Sequence, residues 1–233
     1  MPEITAEILN QLGQYDTPTI CNALELVAPE RRGHGYVVEQ MVCSGPSLPP
    51  IVGLAKTSTM RAVAPSTRSP ADSAKHRVAY YEYVADSALP TVSVIQDLDP
   101  NPGFGAFWGE VNTAIHKGLG CLGVVTNGSL RALDQTAPGF QQLAGKVGPS
   151  HAYVHTVDFG TTVNVFGMTV SDGDIIHADR HGAVVVPAAV AADIPGAVDL
   201  LVRREAVILD CARAKDFSID KLRAALANAA EIH

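Results

Sequence analysis

The run from Pro90 to Asp134 constrains the fold more than any other part of the chain. Pro90-Thr91-Val92-Ser93-Val94-Ile95 is short, apolar and β-branched, and reads as a buried strand. Gln96 to Phe107 is a Gly/Pro/Asp loop, and residues 108–118 read as a helix. Cys121-Leu122-Gly123-Val124-Val125-Thr126 is a second strand. A strand, a crossover helix and another strand in that order require parallel strands, and so an α/β fold.

The flanks fit around that unit. Residues 3–30 have a helical pattern: Ile4, Ile8 and Leu12 share a stripe, and Asp16-Thr17-Pro18 opens a second helix that buries Ile20, Leu24 and Val27. Residues 28–50 are polar and rich in Gly and Pro, and are expected to form a surface connection. Residues 53–63 read as a strand and 64–70 as a loop. Ala71 to Ala88 is expected to be a helix with Val78, Tyr81 and Val84 facing inward. Beyond residue 144, Tyr153–Val157, Thr161–Phe166, Met168–Val170 and Ala183–Val186 read as short strands in an antiparallel or barrel-like region. Ala188–Ala214 and 219–229 are helical, the latter capped by Ser218. There is no internal repeat or sharp change of composition, so residues 1–233 are expected to form a single domain carrying helices 3–30 and 188–229.

Composition excludes several classes. The chain is 47% hydrophobic and 18% charged, unlike a disordered chain. No apolar run approaches the ~18–20 residues of a membrane helix, so no membrane partner is expected. Its net charge is -7 and its 17 Lys and Arg are scattered, which argues against nucleic acid as a partner. The N-terminus lacks the basic start of a signal peptide. Cys21, Cys43, Cys121 and Cys211 are far apart, as expected for reduced thiols in a cytoplasmic protein.

The chemistry concentrates in Trp108–Asp134. Gly109-Glu110 sits at a loop-to-helix junction, where free N–H groups favour anions. The second strand leads to Asn127-Gly128-Ser129-Leu130-Arg131, with Gly128 expected to turn the backbone at its C-terminal end, where α/β ligand sites gather. Arg131 offers a fixed cationic fork for a carboxylate. The alternative is a Gly-rich crossover with Arg131 paired to a surface acid.

Three motifs in order carry a resemblance over most of the chain: Asp16 to Leu24; Gly-Glu, helix, Gly-x-x-Gly-x-Val-x-x-Gly-x-x-Arg-x-x-Asp over 109–134; and Gly173-Asp174-Ile175 through Pro187. They resemble the RraA-like family, which holds class II 4-hydroxy-4-methyl-2-oxoglutarate (4-carboxy-4-hydroxy-2-oxoadipate) aldolases and the ribonuclease regulator RraA. The resemblance implies a mixed α/β/β sandwich of the swivelling β/β/α type, assembled as a homotrimer or hexamer. It implies that the backbone at Gly109, Glu110, Val111 and Asn112 holds a pyruvate carboxylate, and that Arg131 binds that carboxylate and the enolate oxygen. The family holds Mg2+ or Mn2+ on an Asp directly after this Arg. Here that residue is Ala132, and an expected second Asp is Asn127.

Other residues are weaker candidates. Asp134 could replace the lost metal ligand, or cap a turn, or pair with Arg131. Glu110 could be an acid/base partner, or only complement the helix dipole. Glu205 could act from a neighbouring subunit, or lie on a solvated helix face. His151 and His155, four apart in a strand-like stretch, are expected to face one way; His177 and His181 flank a turn. Either pair could serve zinc or proton transfer, and His116 lies two turns into the helix after Gly109. The function implied first is a lyase working through a pyruvate enolate, by retro-aldol cleavage of a 4-hydroxy-2-oxo acid or oxaloacetate decarboxylation. The alternative is a non-catalytic regulator that binds a small carboxylate or a protein.

Overall fold

A computed structural model describes residues 3–233. Two helices open the chain, α1 (Ala6–Leu12) and α2 (Thr17–Val27). Thr5 caps the first through Ile8 N, and Asp16 caps the second through Thr19 N at 2.9 Å. Strands β1 (Val42–Cys43) and β2 (Ile51–Arg61) follow, then α3 (Pro70–Ala85), β3 (Thr91–Asp97), β4 (Ala106–Trp108) and α4 (Glu110–Gly118). The chain continues through β5 (Cys121–Leu130), β6 (Gln141–Val147), β7 (His155–Phe159), β8 (Val163–Val165) and β9 (Met168–Val170). It closes with β10 (Ile175–Asp179), β11 (Gly182–Val186), α5 (Ile194–Arg213) and α6 (Ile219–Ala230), the last capped by Ser218 as expected.

The sheet is mixed and nine-stranded, in the order β1-β6-β5-β3-β2-β10-β11, with β4 added to β5 and β7 to β2. Strands β2, β3, β5 and β6 are parallel, as the crossover order predicts. β2 pairs with β10 along its first half and with β7 along its second, so the antiparallel strands extend the same curled sheet. β8 and β9 form a separate hairpin.

Apolar side chains lie on both sides of the sheet. Leu9, Leu12, Ile20 and Leu24 pack with Ile194 and Val198 of α5 against Val52, Ile175 and Val184. On another part of the sheet, Val163, Val165, Met168 and Val170 of the β8–β9 hairpin pack with Val92, Val94, Val125 and Ile176. A third cluster holds Met60, Ile95, Leu130 and the fully buried Trp108. Each such side chain contributes ~1.5–3 kcal/mol on burial.

Several expectations are corrected. In α3 the buried residues are Tyr80 and Val84, while Val78 is exposed and Tyr81 half-buried. Hydrophobicity alone misplaced that face, because a tyrosine whose hydroxyl finds a partner can be buried deeply. Residues 28–50 are not merely a surface connection: Tyr36 bridges Val184, and β1 pairs with β6. β6 itself was not anticipated. It begins with two fully buried glutamines, whose side-chain amides reach Gly45 O at 3.0 Å and Ser44 Oγ at 3.1 Å. β5 does not turn at Gly128. It runs on to Leu130 with a register shift against β6 between Thr126 and Ser129. The turn comes at Ala132, in the left-handed region at φ 49°, ψ 47°.

Candidate active site

The end of β5 is tied to the start of α4. Arg131 N donates to Trp108 O at 2.8 Å, which places Arg131 beside Gly109, the residue that begins α4. Gly109 is extended at φ -166°, ψ -165°, a conformation open to any residue. Its value lies in space: an added Cβ would sit 3.2 Å from Arg131 Cγ and 3.5 Å from Nε. The arginine stem therefore lies against the bare backbone of the helix start.

Two kinds of donor remain available there. No side chain caps α4, and the amides of Glu110, Val111 and Asn112 have no acceptor among the described residues. They are the orphan donors of a helix start, at its positive end. The half-buried Arg131 has no ion-pair partner among the described residues. The expected alternative, an ion pair with Asp134, is absent: Asp134 is exposed in the short turn Leu133–Gln135.

Neighbouring polar groups hold this frame. The Asn112 side chain is held at both ends: Nδ2 donates to Phe107 O at 2.6 Å, and Oδ1 accepts from Tyr81 OH at 2.8 Å. His116 is buried between Asn112 O at 2.7 Å and Tyr80 OH at 2.8 Å. A carbonyl can only accept, so Nδ1 carries the proton and Tyr80 donates to Nε2. Burial pushes the His116 pKa down to about 4, so the ring is a neutral strut.

Asp97 was missed by the sequence reading, although an acid ending a strand before a Gly/Pro loop was the available signal. Its carboxylate accepts from Gly103 N at 2.7 Å and Asp99 N at 3.0 Å, which shapes the loop before β4. Burial raises its pKa. Asn127 binds the Asp97 backbone in both directions, at 2.7 and 3.1 Å, and so clamps β3 to β5.

The residues present do not fit a divalent metal within one chain. Ala132 supplies no donor, both Asp97 oxygens already take backbone amides, and Asn127 is engaged with the backbone. Among the described residues no group of three or more His, Cys, Asp or Glu side chains is gathered for a metal. Glu205 is exposed on α5, which packs against α1, α2 and α6, so the fold of one chain does not bring it to Arg131. Glu110 is exposed at the first position of α4, at the site.

The other histidines separate. His151 precedes β7 and is exposed, whereas His155 opens that strand, so the two do not share a strand face as expected. His177 is fully buried, with Nδ1 3.0 Å from Thr17 Oγ1 and Nε2 3.0 Å from Tyr15 O. Asp179 Oδ2 accepts from Thr17 N at 2.9 Å, and Oδ1 from His181 N at 2.8 Å and His181 Nδ1 at 3.0 Å. Burial works against the Asp179 charge, but these donors outweigh it and leave the carboxyl below its usual value. His177 and Asp179 stitch the start of α2 to the β10–β11 turn, and His181 holds the Asp179 carboxylate from within that turn.

Comparison with known proteins agrees with this architecture. No curated protein matches the chain significantly. An uncharacterized protein from Pseudomonas syringae pv. tomato superposes with TM-score 0.70 at 19% identity, covering 96% of this chain and 95% of that one. Streptomyces coelicolor RraAS2, described as an unusual member of the RNase ES inhibitor RraA protein family, gives 0.65 at 20% identity, covering 88% and 95%. The RNA-processing inhibitor RraA from Thermus thermophilis gives 0.50 at 16% identity, covering 70% and 90%. At these identities the likeness is one of fold. The model of the RraA-like family, described as Aldolase/RraA, matches residues 17–185, and the chain belongs to that family.

Proposed function

We propose that this protein is a lyase that works through a pyruvate enolate, cleaving a 4-hydroxy-2-oxo acid or decarboxylating oxaloacetate. The observation that carries this reading is the pairing of a free guanidinium with the unpaired amides of an uncapped helix start, across a glycine whose added Cβ would crowd the arginine stem at 3.2 Å. The amides of Glu110, Val111 and Asn112 take the carboxylate of the 2-oxo acid. Arg131 takes the oxygen on which negative charge grows. In oxaloacetate the C3–C4 bond breaks, CO2 leaves, and the electron pair forms the enolate of pyruvate. Protonation at C3 then gives pyruvate. Glu110, at the mouth of the site, is the acid/base candidate for that proton, directly or through water.

No step here is routed through a metal, because the residues around Arg131 do not gather ligands for one. Assembly as a homotrimer or hexamer is part of the proposal. Because α5 packs on α1, α2 and α6, the proposal brings Glu205 to this site from a second copy. No described helix is long and apolar enough to cross a membrane.

The test is pyruvate release from oxaloacetate by purified protein, with Mn2+ and with EDTA, beside Arg131→Ala. The proposal expects turnover above the protein-free background that Arg131→Ala reduces at least roughly 100-fold. Equal turnover in the two proteins, or none above background in either condition, overturns it.

A further inference from the structure

A cavity of about 380 Å3 lies between α3, α4 and β7; Val111 and Asn112 line it, so it adjoins the start of α4, but the rest of its wall takes no part in the proposed reaction. Arg131 does not line it. One side is apolar and aromatic: Tyr81, Phe107, Val111 and Val154. The other carries Arg68, Arg77, His76 and His155, and no acidic residue lines the cavity.

The state of those four side chains argues for a ligand. Arg68 is fixed by donating to Thr156 O at 3.0 Å and Val157 O at 2.6 Å, so its charge faces carbonyls and no carboxylate. Arg77 is exposed and has no ion pair among the described residues. His76 is held against Phe159, with ring centroids 5.4 Å apart, and its Nε2 is buried without a hydrogen-bond partner. A buried, orphaned ring nitrogen is costly unless something meets it. His155 is anchored through Nδ1 to Tyr153 O at 2.8 Å, which leaves Nε2 as its remaining polar atom. Asp158, the acid on β7, is exposed, with its carboxylate on Phe159 N at 2.9 Å.

We propose that this cavity is a second binding site, adjoining the start of α4 but not lined by Arg131, for a small organic carboxylate with a flat apolar body. The carboxylate meets Arg77 and His76, with Arg68 adding charge. The body lies against Tyr81, Phe107, Val111 and Val154. Arg77, which has no ion pair among the described residues, selects the anion, and the aromatic wall selects against a bare one.

Isothermal titration calorimetry on the full chain tests this with benzoate, benzamide and inorganic phosphate as probes. The variants are Arg77→Gln, at an exposed position, His76→Phe, which keeps the packing on Phe159, and Arg131→Ala. Benzoate is expected to bind one site, roughly tenfold more weakly in Arg77→Gln and in His76→Phe, and unchanged in Arg131→Ala. Benzamide and phosphate are each expected to bind at least roughly tenfold more weakly than benzoate. Unchanged benzoate affinity in either cavity variant overturns the proposal. So does loss of binding in Arg131→Ala, phosphate or benzamide binding as tightly as benzoate, or no benzoate binding to the parent protein.

Discussion

Two places in this molecule gather motif residues, and they differ in whether the polar groups are satisfied. At the β10–β11 turn, Asp179 accepts three hydrogen bonds and His177 bridges Thr17 to the carbonyl of Tyr15. The Asp179 carboxylate and both His177 ring nitrogens have partners, although the exposed Arg180 of the same turn has no ion pair among the described residues, and the cluster ties α2 to the sheet. At the start of α4, the amides of three successive residues and the guanidinium of Arg131 have none among the described residues. Saturation marks the first as architecture, and its absence marks the second as a place for a ligand.

The largest expected effect sharpens the contrast at Gly109. Gly109→Val costs little in the backbone, because its φ suits any residue, but its Cβ would press on Arg131 Cγ at 3.2 Å. Pyruvate release is expected to fall roughly 100-fold, as for misplaced groups generally, with the melting temperature little changed. Equal loss of activity and fold would break the contrast.

The buried strut beneath the site gives the next effect. His116 has its pKa lowered from 6.5 to about 4 by burial. A folded state that holds the ring neutral is fully stabilised above pH 6.5, and that contribution, about 3 kcal/mol, is lost as pH falls towards 4. His177 is shifted the same way by burial, whereas Asp97, raised above 3.8, opposes the trend near the bottom of the window. Urea unfolding at pH 7 and pH 4.5 measures the slope. His116→Gln should flatten it, and an unchanged slope would show that His116 does not carry it.

Asp179→Asn tests the saturated cluster. An amide cannot accept from Thr17 N, His181 N and His181 Nδ1 as the carboxylate does, so a stability loss of about 2 kcal/mol is expected. Pyruvate release measured well below the melting temperature should be unchanged. Lost turnover in a folded variant would move chemistry to this end of the sheet. The smallest effect is at Ala132. Its positive φ of 49° is unfavourable for a residue with a Cβ. Ala132→Gly is expected to stabilise the protein by about 0.5–1 kcal/mol in urea titration, and a destabilisation would contradict that account.

Much of the fold was legible because single segments carried strong local signals. Asp16-Thr17-Pro18 and Ser218 mark helix starts, and the strand, helix and strand between Pro90 and Thr126 fixed the parallel core. β6 was hidden because its buried glutamines are matched by Gly45 and Ser44, nearly a hundred residues away. Tyr80 in α3 was hidden for the same reason, its partner His116 being on another helix. The site was legible as residue types, Gly109 and Arg131, but not as geometry. No local pattern shows that Arg131 N bonds Trp108 O, or that Asp97 is occupied with the backbone of its own loop.

The central claim is that Arg131 and the open amides of α4 together hold a 2-oxo acid and its enolate. Oxalate, a flat dianion shaped like the pyruvate enolate, tests it most directly by calorimetry on the purified chain and on Arg131→Ala. The account predicts that the parent protein binds oxalate and that the variant, with its melting temperature retained, binds at least roughly 100-fold more weakly. Equal oxalate affinity in the two proteins would contradict it.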